Sequence, residues 1–171
     1  KTNEAISFLE RIHNTDRNVS MRRYALTAMA TSRHPKAIQF LYDLASDRSA
    51  DYTSRSSALN ALATIKTDKV FDLLVSLTRD KSPMNRMRMT AYNSLSRFPL
   101  SKTESLWREA ISDSNISIQG SAFRALAPLK DPDILKRAKN ILRDPKAQST
   151  LKTAAVEPWK RKGGAEAVRG L

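Results

Sequence analysis

The chain has 171 residues, 40% of them hydrophobic, which excludes a disordered polypeptide and suffices for one compact domain or one short repeat array. It contains no cysteine, which excludes disulfides, thiolate metal sites and a cysteine nucleophile. Its 30 lysines and arginines exceed its 17 acidic residues, and a formal net charge of +13 attracts phosphates and acidic peptides. Four glycines and 6% aromatic residues favour helices over strands throughout. No apolar run reaches the length of a membrane span, about 18 residues.

The first predicted element is an amphipathic helix in the opening residues, since Ile6, Leu9 and Ile12 fall on one helical face. The chain begins with Lys1 already inside this pattern, and we therefore expect it to be a piece of a longer protein. A native start with a frayed first turn is the alternative. The sequence leaves the compartment open.

A repeat follows this helix along the chain. The segments "RRYALTAMA", "RSSALNALA", "RMTAYNSLS" and "QGSAFRALA" carry an alanine at the same place, with spacings of 33, 33 and 31 residues: Ala25, Ala58, Ala91 and Ala122. A fixed spacing of this size is typical of stacked structural units. Turn segments such as "SRHP" and "KDPD" divide each unit into two helical patterns. The sequence therefore predicts a series of helical hairpins, each with a first and a second helix.

The apolar residues of each unit predict which helical faces are buried. In the first helices, the residues one and four positions after the alanine form a buried stripe: Leu26, Met29, Leu59, Leu62, Tyr92, Leu95, Phe123 and Leu126. The second helices contribute Phe40, Leu41, Leu44, Leu73, Leu74, Leu77, Leu106, Ala110, Ile141 and Leu142. No single hairpin can bury such a surface alone, so the hairpins are predicted to stack.

An aspartate ends each second helix, and an arginine opens the next first helix. The pairs are Asp47 with Arg55, Asp80 with Arg88 and, as a third candidate, Asp16 with Arg22. The arginine is replaced at Gln119 and Leu151. We interpret these residues as scaffolding, in which the aspartate accepts hydrogen bonds from the first amides of the next helix and the arginine bridges to a neighbouring aspartate. An anion-binding ladder is the alternative.

This pattern resembles the short HEAT-type repeats of α-solenoids, from about Ala5 to Trp159. The resemblance implies an all-α, right-handed solenoid of stacked antiparallel helix pairs. We expect a single array over residues 1–162, about four and a half hairpins long and starting mid-repeat, with a tail at residues 163–171 that follows a helix stop at the glycine pair. The family includes scaffolds, lyase-like proteins, helical appendages of larger enzymes and DNA-repair glycosylases. The glycosylase site is not carried over, because Asp113 occupies the repeated turn position and Trp107 the core register.

Catalytic groups are sparse in the sequence. The two histidines, His13 and His34, fall in different units without a metal-ligand spacing, and no glycine-rich phosphate loop occurs. We therefore predict no catalytic, cofactor-binding or metal-binding residues and no cofactor.

The partner is predicted from charge and exposure. We expect a protein or peptide, or another domain of the same polypeptide, to bind the groove of the second helices. The exposed residues there have mixed signs, which suits a protein partner: Gln39, Asp43, Asp72, Ser76, Arg108, Glu109, Lys136 and Lys139. A nucleic acid is the first alternative, because Lys36, Lys69 and Lys102 recur every 33 residues on one row of turns, and Arg17, Arg48 and Lys81 recur on the other. A C-terminal helical appendage of a larger enzyme, such as a metallopeptidase, is the second alternative.

Overall fold

The computed structural model describes residues 2–80 and 86–169, with the backbone alone for residue 162 and residues 164–169. The described residues form helices and no strand, which confirms the all-α prediction. In chain order the helices are α1 (Thr2–Thr15), α2 (Val19–Ser32), α3 (Pro35–Ser46), α4 (Tyr52–Leu62), α5 (Asp68–Arg79), α6 (Arg86–Leu95), α7 (Leu100–Ala110), α8 (Ile116–Leu126), α9 (Pro132–Arg143) and α10 (Ser149–Arg169). A short 3-10 helix, Ala127–Leu129, follows α8.

Contacts divide the chain into two compact units, and the first is Lys1–Arg97. Its second helices are α1, α3 and α5, and its first helices are α2, α4 and α6. The first helices pack on one another in chain order, α2 on α4 and α4 on α6, and each also packs on the second helix that precedes it. Ala25, Ala58 and Ala91 are buried in this stack, so the small residue of the repeat lies where helices approach closely.

The second unit is Phe98–Leu171, in which α7 and α9 are second helices and α8 and α10 are first helices. Helix α10 packs on both α8 and α9. Helices α8 and α10 approach closely at Gly120, where an added Cβ would lie 3.2 Å from the Cβ of Ala154. The core beside it contains Ala122, Phe123 and Trp107, each at most 2% exposed. Trp107 is therefore a core residue, as its register predicts.

Polar side chains cap the N-termini of helices at the turns that the sequence predicts between them. Asn18, Asp51 and Asn115 accept hydrogen bonds from the amides of Ser20, Ser54 and Ser117, at 2.8, 3.0 and 3.0 Å. Second helices begin similarly at His34, Thr67 and Asp131. The residue before each of these three adopts the left-handed conformation: Arg33, Lys66 and Lys130, with φ of 51°, 58° and 52°. The chain thus reverses three times through the same local geometry.

Asp47 makes a different contact from the one predicted. Asp47 accepts hydrogen bonds from the amide and hydroxyl of Ser49, at 2.8 and 2.7 Å, in the loop before α4. These hydrogen bonds hold the pKa of the Asp47 carboxyl below its usual value. Asp51 caps α4, so the predicted cap at Asp47 is wrong because the loop places it too far from the helix. Asp80 lies 3.7 Å from Arg48 of the preceding turn.

The arginines that open the first helices bind backbone carbonyl groups of the preceding second helices. Arg55 Nε donates to the carbonyl oxygen of Ala45 at 3.4 Å, and Arg88 Nε donates to that of Thr78 at 2.9 Å. Gln119 Nε2 donates to that of Ile111 at 3.0 Å, so the pattern does not break at this residue. We call these three contacts the helix-end hydrogen bonds. They satisfy carbonyl groups that have no partner within their own helix.

Two further predictions are corrected. The buried face of α9 lies nearer its start, at Ile134, Leu135 and Ala138. Of the predicted second-helix core residues, six in the two units are half-buried: Phe40, Leu44, Leu77, Leu106, Ile141 and Leu142. The predicted helix stop at the glycine pair is wrong, because α10 continues to Arg169. A glycine inside a helix costs only about 1 kcal/mol relative to alanine, so the pair lowers helix stability without ending the helix.

Candidate functional site

The candidate surface in the first unit is formed by the exposed residues of α3 and α5, with residues of α1 beside them; we call it the second-helix surface. Lys36, in the first turn of α3, reaches back to α1. Its Nζ donates to Ser7 Oγ at 3.0 Å and lies 3.7 Å from Glu10 Oε1. The first lysine of the predicted basic row is therefore paired with an acceptor of the preceding second helix.

A second set of contacts joins α3 to α5. Gln39 Nε2 donates to Asp43 Oδ1 at 2.7 Å, and Lys69 Nζ donates to Gln39 Oε1 at 3.4 Å. Lys69 Nζ also lies 4.4 Å from the centroid of the Tyr42 ring, a cation–π distance. The structure thus brings Gln39, Asp43 and Lys69 together in one polar network.

Asp72 and Ser76 complete the candidate residues of the first unit. Both are exposed on α5, one helical turn apart. The Ser76 hydroxyl donates to the carbonyl oxygen of Leu73 at 2.8 Å. Asp72 therefore adds a negative charge to the surface that also carries Lys69.

In the second unit, Arg108 is the centre of a charged group. Its Nε donates to Glu104 Oε1 at 2.8 Å and its Nη2 to Asp131 Oδ2 at 2.7 Å. The two carboxylates raise the pKa of Arg108, and Arg108 holds the pKa of Asp131 below its usual value. This group joins α7 to the residue that caps α9.

The other candidates of the second unit are not part of this group. Lys102, Glu109 and Lys136 are exposed. Lys139 was predicted to be exposed but is half-buried, with its Nζ 6.0 Å from the centroid of the Trp159 ring. Lys81, from the other predicted basic row, lies outside the described residues.

Sequence reasoning missed the residues that pair with the candidates. Ser7, Glu10 and Tyr42 lie beside the lysines of the first unit, and Glu104 and Asp131 bind Arg108. A signal was present in the first unit, because each lysine lies roughly one repeat length after the residue to which it donates: Lys69 is 30 positions after Gln39, and Lys36 is 29 after Ser7.

The two histidines have local roles. His34 Nδ1 accepts a hydrogen bond from the amide of Lys36 and so begins α3. His13 is buried, its ring meets Phe40 edge-on at 6.0 Å, and its Nδ1 has no hydrogen-bond partner among the described residues. Burial holds the pKa of His13 below its usual value. In the described part of the chain, no group of three or more histidine or acidic side chains is placed to hold a metal ion.

Comparison with known proteins gives one family match. Residues 6–96 match the family model for HEAT repeats, which is more than half of the chain. The search of curated proteins found no match. HEAT repeats generally act as scaffolds for protein interactions and are typically non-catalytic. None of the described helices is long and apolar enough to span a membrane.

Proposed function

Because the chain belongs to the HEAT-repeat family, whose fold is the α-solenoid, we propose that it is a non-catalytic interaction module that binds a protein or peptide through its second helices. This partner is either a separate protein or another domain of the same polypeptide. An appendage of a larger enzyme would use the same surface toward its own catalytic domain.

One observation carries this proposal: the second-helix surface presents donors and acceptors of both signs side by side. Lys36 of α3 contacts Ser7 and Glu10 of α1. Lys69 of α5 contacts Gln39 of α3, so side-chain contacts join neighbouring second helices. A polypeptide offers both N–H donors and carbonyl acceptors, and a surface of alternating sign can pair with both. The partly exposed Tyr42 ring adds a flat apolar area of the kind enriched at protein interfaces.

The same observation disfavours phosphate binding through the predicted lysine row. Glu10 lies beside Lys36, and Asp43 is bound to the Gln39 side chain that Lys69 contacts. These carboxylates would repel a phosphate placed against either lysine. The lysine row therefore favours a protein partner over a nucleic acid.

Site-specific photo-crosslinking tests the proposal. A benzophenone amino acid would replace Ser76 on α5, and in a matched variant it would replace Ser96, which follows α6. Both serines are exposed, and both hydroxyls donate to the carbonyl oxygen three residues earlier, at 2.8 and 2.6 Å. We expect the Ser76 variant to form an adduct with a polypeptide in extract of the source cells and the Ser96 variant to form none.

Binding of the purified partner then tests the mixed charges. We expect Asp43→Lys with Asp72→Lys to weaken calorimetric affinity about tenfold or more, since reversed charges then face the partner's complementary groups. Polypeptide adducts from Ser96 alone, or nucleic-acid adducts from Ser76, would contradict the proposal.

A further inference from the structure

The first helices of the first unit differ in charge from its second helices. Helices α2, α4 and α6 carry five arginines and no aspartate or glutamate, whereas each second helix carries acidic residues, for example Asp68 and Asp72 in α5. Three of the five arginines bind backbone carbonyl groups: Arg22, Arg55 and Arg88. Arg23 and Arg86 are exposed. This helical face therefore has a positive charge with no acidic side chain of its own helices to oppose it.

A cleft of about 350 Å³ lies on this face between α2 and α4. Seven of its nine lining residues are polar, the other two are alanines, and none is acidic. Arg23 and Arg97 both line the cleft, and both are exposed. Within the part of the chain that the structure describes, neither guanidinium has a hydrogen bond or an ion pair with another side chain. Two unneutralised cations thus border one polar cleft.

The remaining polar residues of the cleft differ in whether their protons already take part in hydrogen bonds. The hydroxyls of Thr27, Thr31 and Thr64 donate to backbone carbonyl groups three or four residues earlier, so their protons are used. Asn60 is different, because its Oδ1 accepts from the fully buried hydroxyl of Ser94 at 3.2 Å. This contact leaves the Asn60 Nδ2 protons free to donate.

An oxyanion requires convergent donors and cations, and this cleft supplies both. Arg23 and Arg97 provide guanidinium donors, Asn60 provides an amide donor, and Ser57 provides a hydroxyl. Charge-assisted hydrogen bonds of guanidinium groups to phosphate oxygens are among the strongest in proteins.

Exposed aromatic rings accompany the arginines on this face. Tyr24 directly follows Arg23 and is 74% exposed. Tyr52, at the start of α4, is 37% exposed but contacts α6: its hydroxyl forms a hydrogen bond with Thr90 Oγ1 at 3.1 Å, and the guanidinium carbon of Arg86 lies 4.4 Å from the centroid of its ring. Single-stranded nucleic acids bind surfaces that combine cations for the backbone with aromatic rings for the bases. A duplex has its bases stacked and would not use such rings.

We propose that the α2–α4 cleft binds a phosphate of single-stranded nucleic acid, with the exposed ring of Tyr24 as a stacking surface for a base. The contacts are to phosphates and ring faces, so binding has little dependence on base sequence. This site is separate from the second-helix surface and from the lysine row, and it does not depend on the protein partner proposed above.

Fluorescence anisotropy with a labelled oligothymidylate of about 15 nucleotides tests the site in the complete chain. At about 50 mM salt we expect Arg23→Gln with Arg97→Gln to weaken binding about tenfold or more. The slope of log affinity against log salt should fall by about 0.7, because the two arginines contact one phosphate and each phosphate contact to a single strand contributes about 0.7. Lys36→Gln with Lys69→Gln removes the same charge from the second-helix surface and should change affinity by less than about twofold.

Two single substitutions test the geometry without removing an arginine. Asn60→Asp keeps an acceptor for Ser94 but places a carboxylate in the cleft, and it should abolish most binding. Tyr24→Ala should weaken binding about fivefold or more, the loss expected when one base no longer stacks. Circular dichroism and melting curves establish that each variant is folded.

Four results would overturn the proposal. One is no oligonucleotide binding at about 50 mM salt, where phosphate contacts are strongest. The second is an equal loss of oligonucleotide affinity in the arginine double variant and the lysine double variant. The third is tighter binding of a duplex of the same length, and the fourth is binding of a phosphopeptide or anionic vesicles in place of the oligonucleotide.

Discussion

At the scale of single residues, the alanines of the repeat limit how closely helices can pack. Ala58 is fully buried on α4, a helix that packs against α2, α3 and α6. We expect Ala58→Leu to lower the free energy of unfolding by about 1 to 3 kcal/mol or more, because the added atoms overpack the interface. Urea unfolding measures the change. Ala28→Leu, on the exposed face of α2, is the matched control and should be nearly neutral; equal losses would show that Ala58 is not at a close contact.

The buried histidine makes stability depend on pH. Burial holds the pKa of His13 below 6.5 in the folded state, so between the folded and unfolded values the unfolded chain binds more protons. Stability is therefore lost as pH falls below about 6.5 toward the folded pKa. We expect His13→Leu to reduce the loss of unfolding free energy between about pH 7.5 and pH 5. An unchanged pH profile in this variant would mean that His13 is protonated without cost.

At the scale of helices, the helix-end hydrogen bonds connect each first helix to the end of the preceding second helix. Arg88 is 8% exposed and donates to Thr78 at the end of α5. We expect Arg88→Ala to lower the free energy of unfolding by about 1.5 to 3 kcal/mol, the range for hydrogen bonds of charged groups. Thermal and urea melts measure it. Arg23→Ala, on the exposed part of α2, should cost less than about 0.5 kcal/mol.

The repeat pattern predicted the buried faces of the first helices but not the polar contacts. The eight apolar residues of the first-helix stripe, from Leu26 to Leu126, are all buried, because a period near 3.6 directly determines which side of a helix faces its neighbours. The partner of Arg88 was not predictable in this way. A long side chain can reach either a carboxylate or a carbonyl oxygen, and only the helix geometry decides between them.

The candidate site shows the same limit. Lys36 and Lys69 were identified by their spacing, but their contacts to Ser7 and Gln39 depend on side-chain rotamers of neighbouring helices. The α2–α4 cleft was missed for a different reason. The absence of acidic residues from the first helices is visible in the sequence, but the unused protons of Asn60 depend on Ser94, which is 34 positions away.

At the scale of the whole molecule, the net charge of +13 gives the folded chain an unfavourable self-repulsion. Added salt screens this repulsion over a Debye length that falls from about 30 Å at 0.01 M to about 8 Å at 0.15 M. We expect the melting temperature to rise as sodium chloride increases over this range. A falling melting temperature would instead show that the ion pairs, such as Arg108 with Asp131, contribute more than the repulsion costs.

The helix-end hydrogen bonds have a consequence for how fast the first unit folds. Arg55 and Arg88 each bind a carbonyl group ten positions earlier, so each contact closes only a short loop. The helices that pack on one another, such as α2 on α4, are likewise near neighbours along the chain. Low contact order of this kind is associated with folding in about microseconds to milliseconds. Any neighbouring pair of helices can therefore serve as a nucleus, with the next helix adding to an end that is already formed.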